Sequence, residues 1–416
     1  MGYIPQHSLE NLKKYAYKGV DKSLVSRYLL NPFWTWFVTL WPLSIAPNTI
    51  TLTGLLIVFV NFFTLLYYDP LYLTEHDDVT APPRWVYYTW AVGLFAYQSL
   101  DAIDGKQARR TGMAGPLGEM FDHGCDALNT TLEVILASRA LGLGRSWWTV
   151  ASQIATLANF YLTTWEEYHT GQLFLGHFSG PVEGILMIVA IYLITGHYGP
   201  AFWEQKIWTF THLEHVPFIA RLPNLPLNES FMVFGAFGLG FNIISSYMNV
   251  LKATRAAKAS SLRPLLLLTP FVVSAALQVA WLSHPQFNNS YIIGSAAFVP
   301  FLCAWGLQFA HMVGRMILAH VTKGPFPMWD WVWIWSVAGA LDANLPVFGM
   351  SPIIQTCPRN TTIFVWFTLA ISFLTYARFV SLVISDITNY LGIACFTVRK
   401  KDEKGVWHDA RPDKLS

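Results

Sequence analysis

Long apolar stretches separated by short polar segments make up most of the chain after residue 47. Ten of them come close to the ~20 residues that an α-helix needs to cross a bilayer. They lie at approximately 48–68, 84–105, 114–140, 146–166, 181–199, 229–251, 264–282, 289–312, 328–347 and 361–385. The pattern predicts an all-α polytopic membrane protein of about ten transmembrane helices, with both termini on one side of the membrane.

The two ends of the chain have a different pattern. Residues 9–30 mix apolar side chains with five lysines and arginines, and an aromatic cluster follows at 33–41. This favours an N-terminal interfacial amphipathic helix, with an ordinary solvated helix as the alternative. We therefore expect a cytosolic lead-in at 1–45, a membrane domain at 46–390 and a cytosolic tail at 391–416. The first 30 residues lack a signal-peptide pattern, so the first span is expected to direct membrane targeting.

The composition agrees with a membrane location. The chain is 53% hydrophobic and 12% charged, about half the charged fraction of an average globular protein. Its 18 Trp suit the aromatic belts at membrane interfaces. The net charge of +2, without a dense basic run, predicts no nucleic-acid partner. The four cysteines have no paired spacing, so neither a disulfide framework nor a zinc site is predicted.

Lysine and arginine are unevenly distributed between the two sets of predicted loops. They are more numerous on the side of the termini, and such clusters mark the cytosolic face. We therefore expect the termini and the polar stretch after the second span to be cytosolic. The three glycosylation sequons fall in predicted lumenal loops, at Asn228, Asn288 and Asn360.

One polar stretch, residues 101–126, interrupts the apolar pattern where the second and third spans meet. Asp101 and Asp104 share one helix face, and Asp122 and Asp126 share a face of the next helix. Carboxylates in hydrocarbon are costly and need water, a metal or a partner. Oxygen ligands suit hard divalent cations, and two ions about 3.5–4 Å apart can clamp a pyrophosphate. The alternative is a set of charges paired with Lys106, Arg109 and Arg110.

The same residues carry a family resemblance. The motif Asp101-x-x-Asp104-Gly105-x-x-Ala108-Arg109, then eight residues, then Gly118-x-x-x-Asp122-x-x-x-Asp126 resembles the complete signature of the CDP-alcohol phosphotransferases. Residues 46–51 and 165–171, with the ten-span layout, resemble the choline/ethanolamine phosphotransferases of eukaryotes.

The resemblance implies transfer of phosphocholine or phosphoethanolamine from CDP-choline or CDP-ethanolamine to diacylglycerol. It further implies two Mg²⁺ ions (with Mn²⁺ as a substitute), an endoplasmic reticulum or Golgi location, and a homodimer.

Several residues around the aspartates are candidates for contacts with the CDP moiety. Gly105, Ala108 and Gly118 would let a phosphorylated ligand approach the backbone, or they serve tight helix packing. Arg109 could neutralise phosphate charge or pair with an aspartate. Asn48 and Thr51 could bond cytosine or ribose, or form a capped helix start.

Glu119 and His123 lie one helical turn apart. The spacing predicts that Glu119 accepts a hydrogen bond from one imidazole nitrogen, which leaves the other free to take a proton. An ordinary pKa near 6.5 suits histidine for this role, while metal-bound aspartates are poor bases. We therefore assign the general base to His123, oriented by Glu119. In the alternative, His123 only forms hydrogen bonds or adds a metal ligand.

A second polar cluster comprises Glu166, Glu167, His169 and Glu183. We place the first three in the loop after the fourth span, where interfacial polarity accounts for them. Glu183 lies inside a predicted span, and we interpret it as a residue of the headgroup or lipid entrance.

Two alternatives to this function stay open. Within the same chemistry, the headgroup or acceptor could differ, although relatives that use inositol or a glycerophosphate are typically shorter. Choline is weakly favoured over ethanolamine, and a dual enzyme is compatible with the sequence. From another class, a divalent-cation transporter would need carboxylates along a path through several spans, whereas here they cluster at one end of two helices.

Overall fold

A computed structural model describes residues 2–21, 23–72, 81–176, 181–283 and 290–411. The structure is mostly helical. Its helices are α1 (Gln6–Leu12), α2 (Asn31–Phe37), α3 (Pro47–Tyr68), α4 (Arg84–Arg110), α5 (Pro116–Ala140), α6 (Trp147–Thr170), α7 (Pro181–Tyr198), α8 (Ile207–Phe210), α9 (Leu227–Ala256), α10 (Leu262–Leu266), α11 (Thr269–Leu282), α12 (Phe298–Thr322), α13 (Ile334–Asn344) and α14 (Pro358–Leu391).

The described residues also include four short strands. Strand β1 (Gly19–Asp21) pairs in parallel with β2 (Leu173–Leu175), which follows α6. Strands β3 (Arg399–Lys401) and β4 (Trp407–Asp409) form an antiparallel hairpin after α14. The first pair ties the N-terminal segment to the end of α6.

Each predicted span contains helix among its described residues, but the helices differ in length and polarity. Among the described residues, five helical stretches are long and apolar enough to cross a membrane: Pro47–Tyr68, Leu227–Ala256, Leu262–Leu282 (which comprises α10 and α11), Phe298–Thr322 and Pro358–Leu391. Helices α4 and α5 are as long but carry the polar stretch, and α13 has only 11 residues. The structure thus fits a polytopic membrane protein, while the number of ten spans stays a prediction. Part of the sequon at Asn288, and residues 412–416 of the predicted tail, lie outside the described residues.

The prediction of one continuous N-terminal amphipathic helix is wrong. Residues 9–30 contain the end of α1, the strand β1 and a short π-helical turn, Ser26–Leu30. Glycine has a low helix propensity, and Gly19 lies where the chain becomes extended and gains β2 as a backbone partner. The aromatic cluster does form α2, with Trp34 buried and Trp36 exposed.

Helix α12 lies at the centre of the structure. It packs against α5, α6 and α14, while α3, α4, α5 and α7 pack against one another on one side. Its residues are buried along most of its length, including Trp305 and Phe309. Helix α9 is the opposite case, because it packs mainly on α6 and exposes Phe234, Phe237 and Phe241. Exposed apolar side chains of this kind suit a lipid environment.

The turn between α4 and α5 is held by segments from both ends of the chain. Gly112 has a φ of 69°, a conformation that glycine adopts without strain. Its carbonyl accepts a hydrogen bond from Lys400 Nζ after α14. On the N-terminal side, Gln107 donates to the carbonyls of Pro42 and Ile45. These contacts fix the relative position of the two helices that carry the acidic motif.

Candidate active site

The four motif aspartates converge between α4 and α5. Ligand atoms of Asp101, Asp104 and Asp122 lie within 4.8 Å of one another, and so do those of Asp122, His123 and Asp126. Asp122 belongs to both groups and therefore links them. The helical spacing brings each pair onto one face, and the packing of α4 near α5 brings the two faces together.

The oxygen atoms of this centre are incompletely satisfied. Oδ1 of Asp101 and Oδ1 of Asp122 are buried without a hydrogen-bond partner. Buried carboxylate oxygens are normally bonded, so these atoms need a cation or a ligand donor. The oxygen-rich set fits hard divalent cations such as Mg²⁺. The residues present thus fit a site for divalent metal ions.

Two hydroxyl groups, one from α3 and one from α4, donate hydrogen bonds to the aspartates. Thr51 Oγ1 on α3 donates to Asp104 Oδ2 at 2.5 Å. The Tyr97 hydroxyl on α4 donates to Asp126 Oδ1. Partners of this kind orient ligating carboxylates. Thr51 therefore belongs to the aspartate centre, whereas the sequence predicts a contact with the nucleotide or a helix cap for it. Tyr97 is not among the residues that the sequence predicts for the site.

Asn48 lies one turn before Thr51 and has a different partner. Its Nδ2 donates to the carbonyl oxygen of Cys395 at 3.2 Å and lies 3.5 Å from Cys395 Sγ. Asn48 thus joins the start of α3 to the segment that follows α14.

The small residues of the motif leave space beside the aspartates. A Cβ atom added at Gly118 would meet nothing within 4 Å, and one at Gly105 would meet only the Arg109 guanidinium, at 3.7 Å. Ala108 is buried. Gly105 and Gly118 therefore border open volume, as a site for a bulky phosphorylated ligand requires.

The cations at the end of α4 are directed toward the N-terminal segment. Lys106 Nζ donates to Asn31 Oδ1 at 2.7 Å, and Arg110 donates to the carbonyl oxygen of Val38. Arg109 is exposed. The alternative in which Lys106 and Arg110 neutralise the aspartates is therefore not supported by these contacts.

The predicted hydrogen bond between Glu119 and His123 is absent. Neither carboxylate oxygen of Glu119 has a hydrogen-bond partner. His123 instead lies between two other carboxylates, with Nδ1 3.5 Å from Asp122 Oδ2 and Nε2 3.7 Å from Glu167 Oε2. The one-turn spacing allowed the predicted contact, but the packing of α6 against α5 supplies a different acidic neighbour.

The prediction of a polar loop at 166–169 is wrong. Helix α6 continues to Thr170 and ends where Gly171 adopts the left-handed conformation, with a φ of 67°. Glu166 and Glu167 are each only 3% exposed. Asn249 donates to Glu166 Oε1 at 2.7 Å, whereas Glu167 faces His123. The absence of glycine or proline before Gly171 was the signal that the helix continues.

Glu167 belongs to a third group of ligand-type side chains, in addition to the two groups that contain aspartates. Ligand atoms of Glu119, Glu167 and His320 lie within 4.8 Å of one another. Glu119 Oε1 is 3.8 Å from His320 Nε2. These residues come from α5, α6 and α12, and His320 was not among the residues predicted for the site.

Two residues of the N-terminal segment interact with residues predicted for the site. Partial burial raises the pKa of the Tyr17 hydroxyl, His123 lowers it, and the carboxylates of Glu167, Asp122 and Asp101 raise it further. Ser23 Oγ donates to Glu183 Oε1, while Glu183 Oε2 has no hydrogen-bond partner. Glu183 therefore lies where α7 meets the N-terminal segment, outside the three ligand groups.

The fold and the site define a helical membrane protein whose central helices carry a carboxylate centre suited to divalent cations. Comparison with known proteins specifies it further. The family model for CDP-alcohol phosphatidyltransferases matches residues 44–219. Cholinephosphotransferase 1 of Saccharomyces cerevisiae is 36% identical, over 96% of this chain and 99% of that protein.

Two choline/ethanolaminephosphotransferases are similarly related. The Saccharomyces cerevisiae protein is 34% identical, over 96% of this chain and 99% of its own length. The Arabidopsis thaliana protein is 35% identical, over 97% of this chain and 100% of its own length. The chain belongs to the CDP-alcohol phosphatidyltransferase family, and it is a membrane transferase of phospholipid biosynthesis.

Proposed function

We propose that this enzyme transfers phosphocholine from CDP-choline to the sn-3 hydroxyl of diacylglycerol, forming phosphatidylcholine and CMP. The observation that carries the proposal is the four-aspartate centre with unpartnered buried oxygens. Cholinephosphotransferase 1 of yeast, similar over nearly its whole length, supports the choice of donor. A site within the helices also suits a reaction in which one substrate stays in the bilayer and the other is a soluble nucleotide.

In this proposal Asp101, Asp104, Asp122 and Asp126 would hold two Mg²⁺ ions, or Mn²⁺ in their place. Bound ions would neutralise the pyrophosphate and stabilise the charge that develops on CMP. The acceptor oxygen forms a bond to the β-phosphorus while the bond from that phosphorus to the bridging oxygen breaks. The bridging oxygen leaves with CMP, so no covalent enzyme intermediate is needed.

His123 is proposed to take the proton of the acceptor hydroxyl. Its Nδ1 is buried, lacks a hydrogen-bond partner and faces the aspartate side. Glu167, on the Nε2 side, would stabilise the imidazolium that forms. The alternative role, in which His123 is a metal ligand, draws on its grouping with Asp122 and Asp126.

The remaining predicted residues complete the proposed substrate site. Gly105, Ala108, Gly118 and Arg109 would surround the phosphates, with Arg109 neutralising charge. Asn48 and Thr51 would lie toward the nucleoside, and Glu183 toward the headgroup or lipid entrance. The proposal further includes a homodimer in the endoplasmic reticulum or Golgi membrane, with both termini and the active site cytosolic.

A dual choline/ethanolamine enzyme is the second candidate. It is favoured by the similarity to two proteins named choline/ethanolaminephosphotransferase. A cation transporter is disfavoured because the aspartates cluster between two neighbouring helices rather than along a path.

The deciding experiment supplies purified protein with diacylglycerol, Mg²⁺ and either CDP-choline or CDP-ethanolamine. CMP release and the phospholipid product are measured in parallel. We expect phosphatidylcholine from the first donor, and comparable rates with both donors would identify a dual enzyme. Release of CMP from neither donor in the presence of Mg²⁺ would refute the proposed function.

The proposed orientation has its own test. A membrane-impermeant thiol reagent should label a cysteine introduced next to Arg110 in sealed microsomes from the cytosolic side. Labelling only after the membranes are opened would place the motif in the lumen and contradict the orientation.

A further inference from the structure

The group of Glu119, Glu167 and His320 is a second candidate site beside the aspartate centre. Its ligand atoms lie within 4.8 Å of one another, and its residues come from three different helices. Glu119 is 7% exposed and Glu167 is 3% exposed. Both oxygens of Glu119 are buried without a hydrogen-bond partner. The fold therefore holds an unsatisfied carboxylate at a point where two acidic side chains meet.

The charge balance of this group favours a positively charged ligand. Two buried carboxylates close together oppose each other's ionisation unless a cation joins them. Among the described residues, their ion-pair partners are imidazoles, His123 at 3.7 Å from Glu167 and His320 at 3.8 Å from Glu119. No lysine or arginine of the described chain forms an observed ion pair with either carboxylate. A cationic group of a ligand would supply the missing partner.

The position of the group relative to the aspartates restricts the kind of ligand. His123 lies between the two sites, with Nδ1 toward Asp122 and Nε2 toward Glu167. The second site therefore begins one imidazole ring away from the centre proposed to hold the pyrophosphate. In CDP-choline and CDP-ethanolamine, the donors of the proposed function, two carbon atoms separate the phosphate ester oxygen from the amino nitrogen. The separation of the two groups by one imidazole ring suits a short arm that ends in an ammonium group.

Aromatic rings border the same region. The ring of Tyr15 meets that of His320 edge-on, with centroids 6.1 Å apart. The Glu167 carboxylate raises the pKa of the Tyr17 hydroxyl and His123 lowers it. Tyrosine rings attract quaternary ammonium groups through their negative faces. The N-terminal segment thus brings to the carboxylates a second type of group that favours cations.

We propose that Glu119, Glu167 and His320, bordered by Tyr15 and Tyr17, form the subsite that binds the cationic amino group of the CDP-alcohol donor. The inference rests on the proposed function, since it assigns the donor's headgroup to these residues. A divalent cation is the competing occupant, because two carboxylates and an imidazole also form a common metal-ligand set.

The test compares CDP-choline with its uncharged isostere, CDP-3,3-dimethylbutanol, in which carbon replaces the quaternary nitrogen. Dissociation constants are measured with Mg²⁺ and without diacylglycerol, so that turnover plays no part. The wild type should bind CDP-choline at least about tenfold more tightly than the isostere. Glu119→Gln should lose most of this preference while its affinity for the isostere stays unchanged.

Glu166→Gln is the matched control, since Glu166 is an equally buried carboxylate on the same helix as Glu167 but bonds Asn249 outside the group. It should keep the wild-type preference. If Glu119→Gln does not fold, Tyr17→Leu gives a second measurement at an exposed position. It should reduce the preference, whereas Tyr17→Phe should retain it.

Three results would overturn the inference. The wild type could bind CDP-choline and the isostere equally. Alternatively, Glu119→Gln could weaken the binding of both nucleotides equally, which would assign Glu119 to the nucleotide or its metals. Glu119→Gln could also bind one metal ion fewer than the wild type, which would identify a third cation site. A different result would refute the proposed function. In that case neither nucleotide would bind, or CMP would be released from neither CDP-choline nor CDP-ethanolamine.

Discussion

Among the described residues, the buried carboxylates of the second half of the chain are hydrogen-bonded, whereas several of those in the first half keep an oxygen without a partner. In the second half, Asp342 accepts the backbone N–H groups of Ile353, Ile354 and Gln355 at 2.7–2.9 Å. In the first half, Asp101 and Asp122 each keep a buried oxygen without a partner. Within the described residues, every buried carboxylate oxygen that lacks a hydrogen bond precedes α8, and these oxygens belong to Asp101, Glu119, Asp122, Glu133 and Glu183.

The polar amides follow the same division. Gln278 donates to Gln308 and Ser336, and Gln308 donates to Ser372, so α11, α12, α13 and α14 are joined by bonded pairs. A satisfied buried network rigidifies a structure, while an unsatisfied group is costly unless a ligand completes it. Among the described residues, these bonded amides of the second half join helices, whereas the unpartnered carboxylates of the first half include those of the aspartate centre.

The strongest test of this distinction is Asp122→Asn. Asp122 is shared by the two ligand groups that contain aspartates, and metal ions supply several kcal/mol of transition-state stabilisation. We therefore expect phospholipid synthesis to fall by about a thousandfold or more. The unfolding temperature should not fall, because the change removes like-charge repulsion. Excess EDTA should abolish wild-type activity. Full activity of the wild type in EDTA, or of the Asp122→Asn variant in Mg²⁺, would contradict the metal assignment.

His123→Ala tests which group takes the proton. A positioned base contributes typically 10²–10⁴-fold, so turnover should fall within that range while the affinity for CDP-choline and Mg²⁺ is retained. Both quantities are measured on one preparation. A parallel loss of Mg²⁺ and nucleotide binding would instead make His123 a metal ligand and leave Asp126 as the candidate base.

Thr51→Val tests the support of the aspartates from α3. The change removes the hydrogen bond to Asp104, and loss of such a supporting contact typically weakens metal affinity by about 10–100-fold. Activity should therefore recover at high Mg²⁺ concentration. Thr53→Val is the control, because Thr53 bonds only the carbonyl of Thr49 in its own helix. A loss that Mg²⁺ does not restore, or an equal loss in both variants, would count against the role of Thr51.

Asp342→Ala should have the smallest effect on catalysis and a large effect on stability. Three backbone donors would lose their acceptor, which costs about 3 kcal/mol or more in unfolding free energy. Thermal unfolding in detergent measures this change, and turnover per folded molecule should stay at the wild-type level. A loss of turnover without a loss of stability would contradict the division between the two halves.

Much of the site was accessible from the sequence because it depends on positions within single helices. The i, i+3 and i, i+4 spacings place Asp101 with Asp104 and Asp122 with Asp126 on shared faces, whatever the rest of the chain does. The length and polarity of the apolar stretches likewise indicated the helices, though not whether each crosses the membrane. Local irregularities were less accessible, since the strand β1 depends on a partner that follows α6.

The sequence by itself determined the aspartate faces, the small residues beside them and the membrane character of the chain. Only the tertiary structure decided that His123 faces Glu167 rather than Glu119, and that Glu119 lies beside His320. Thr51 likewise reaches Asp104 only because α3 packs on α4. The physical reason is that helical periodicity fixes which side chains share a face, whereas contacts between helices depend on how close-packed surfaces fit together.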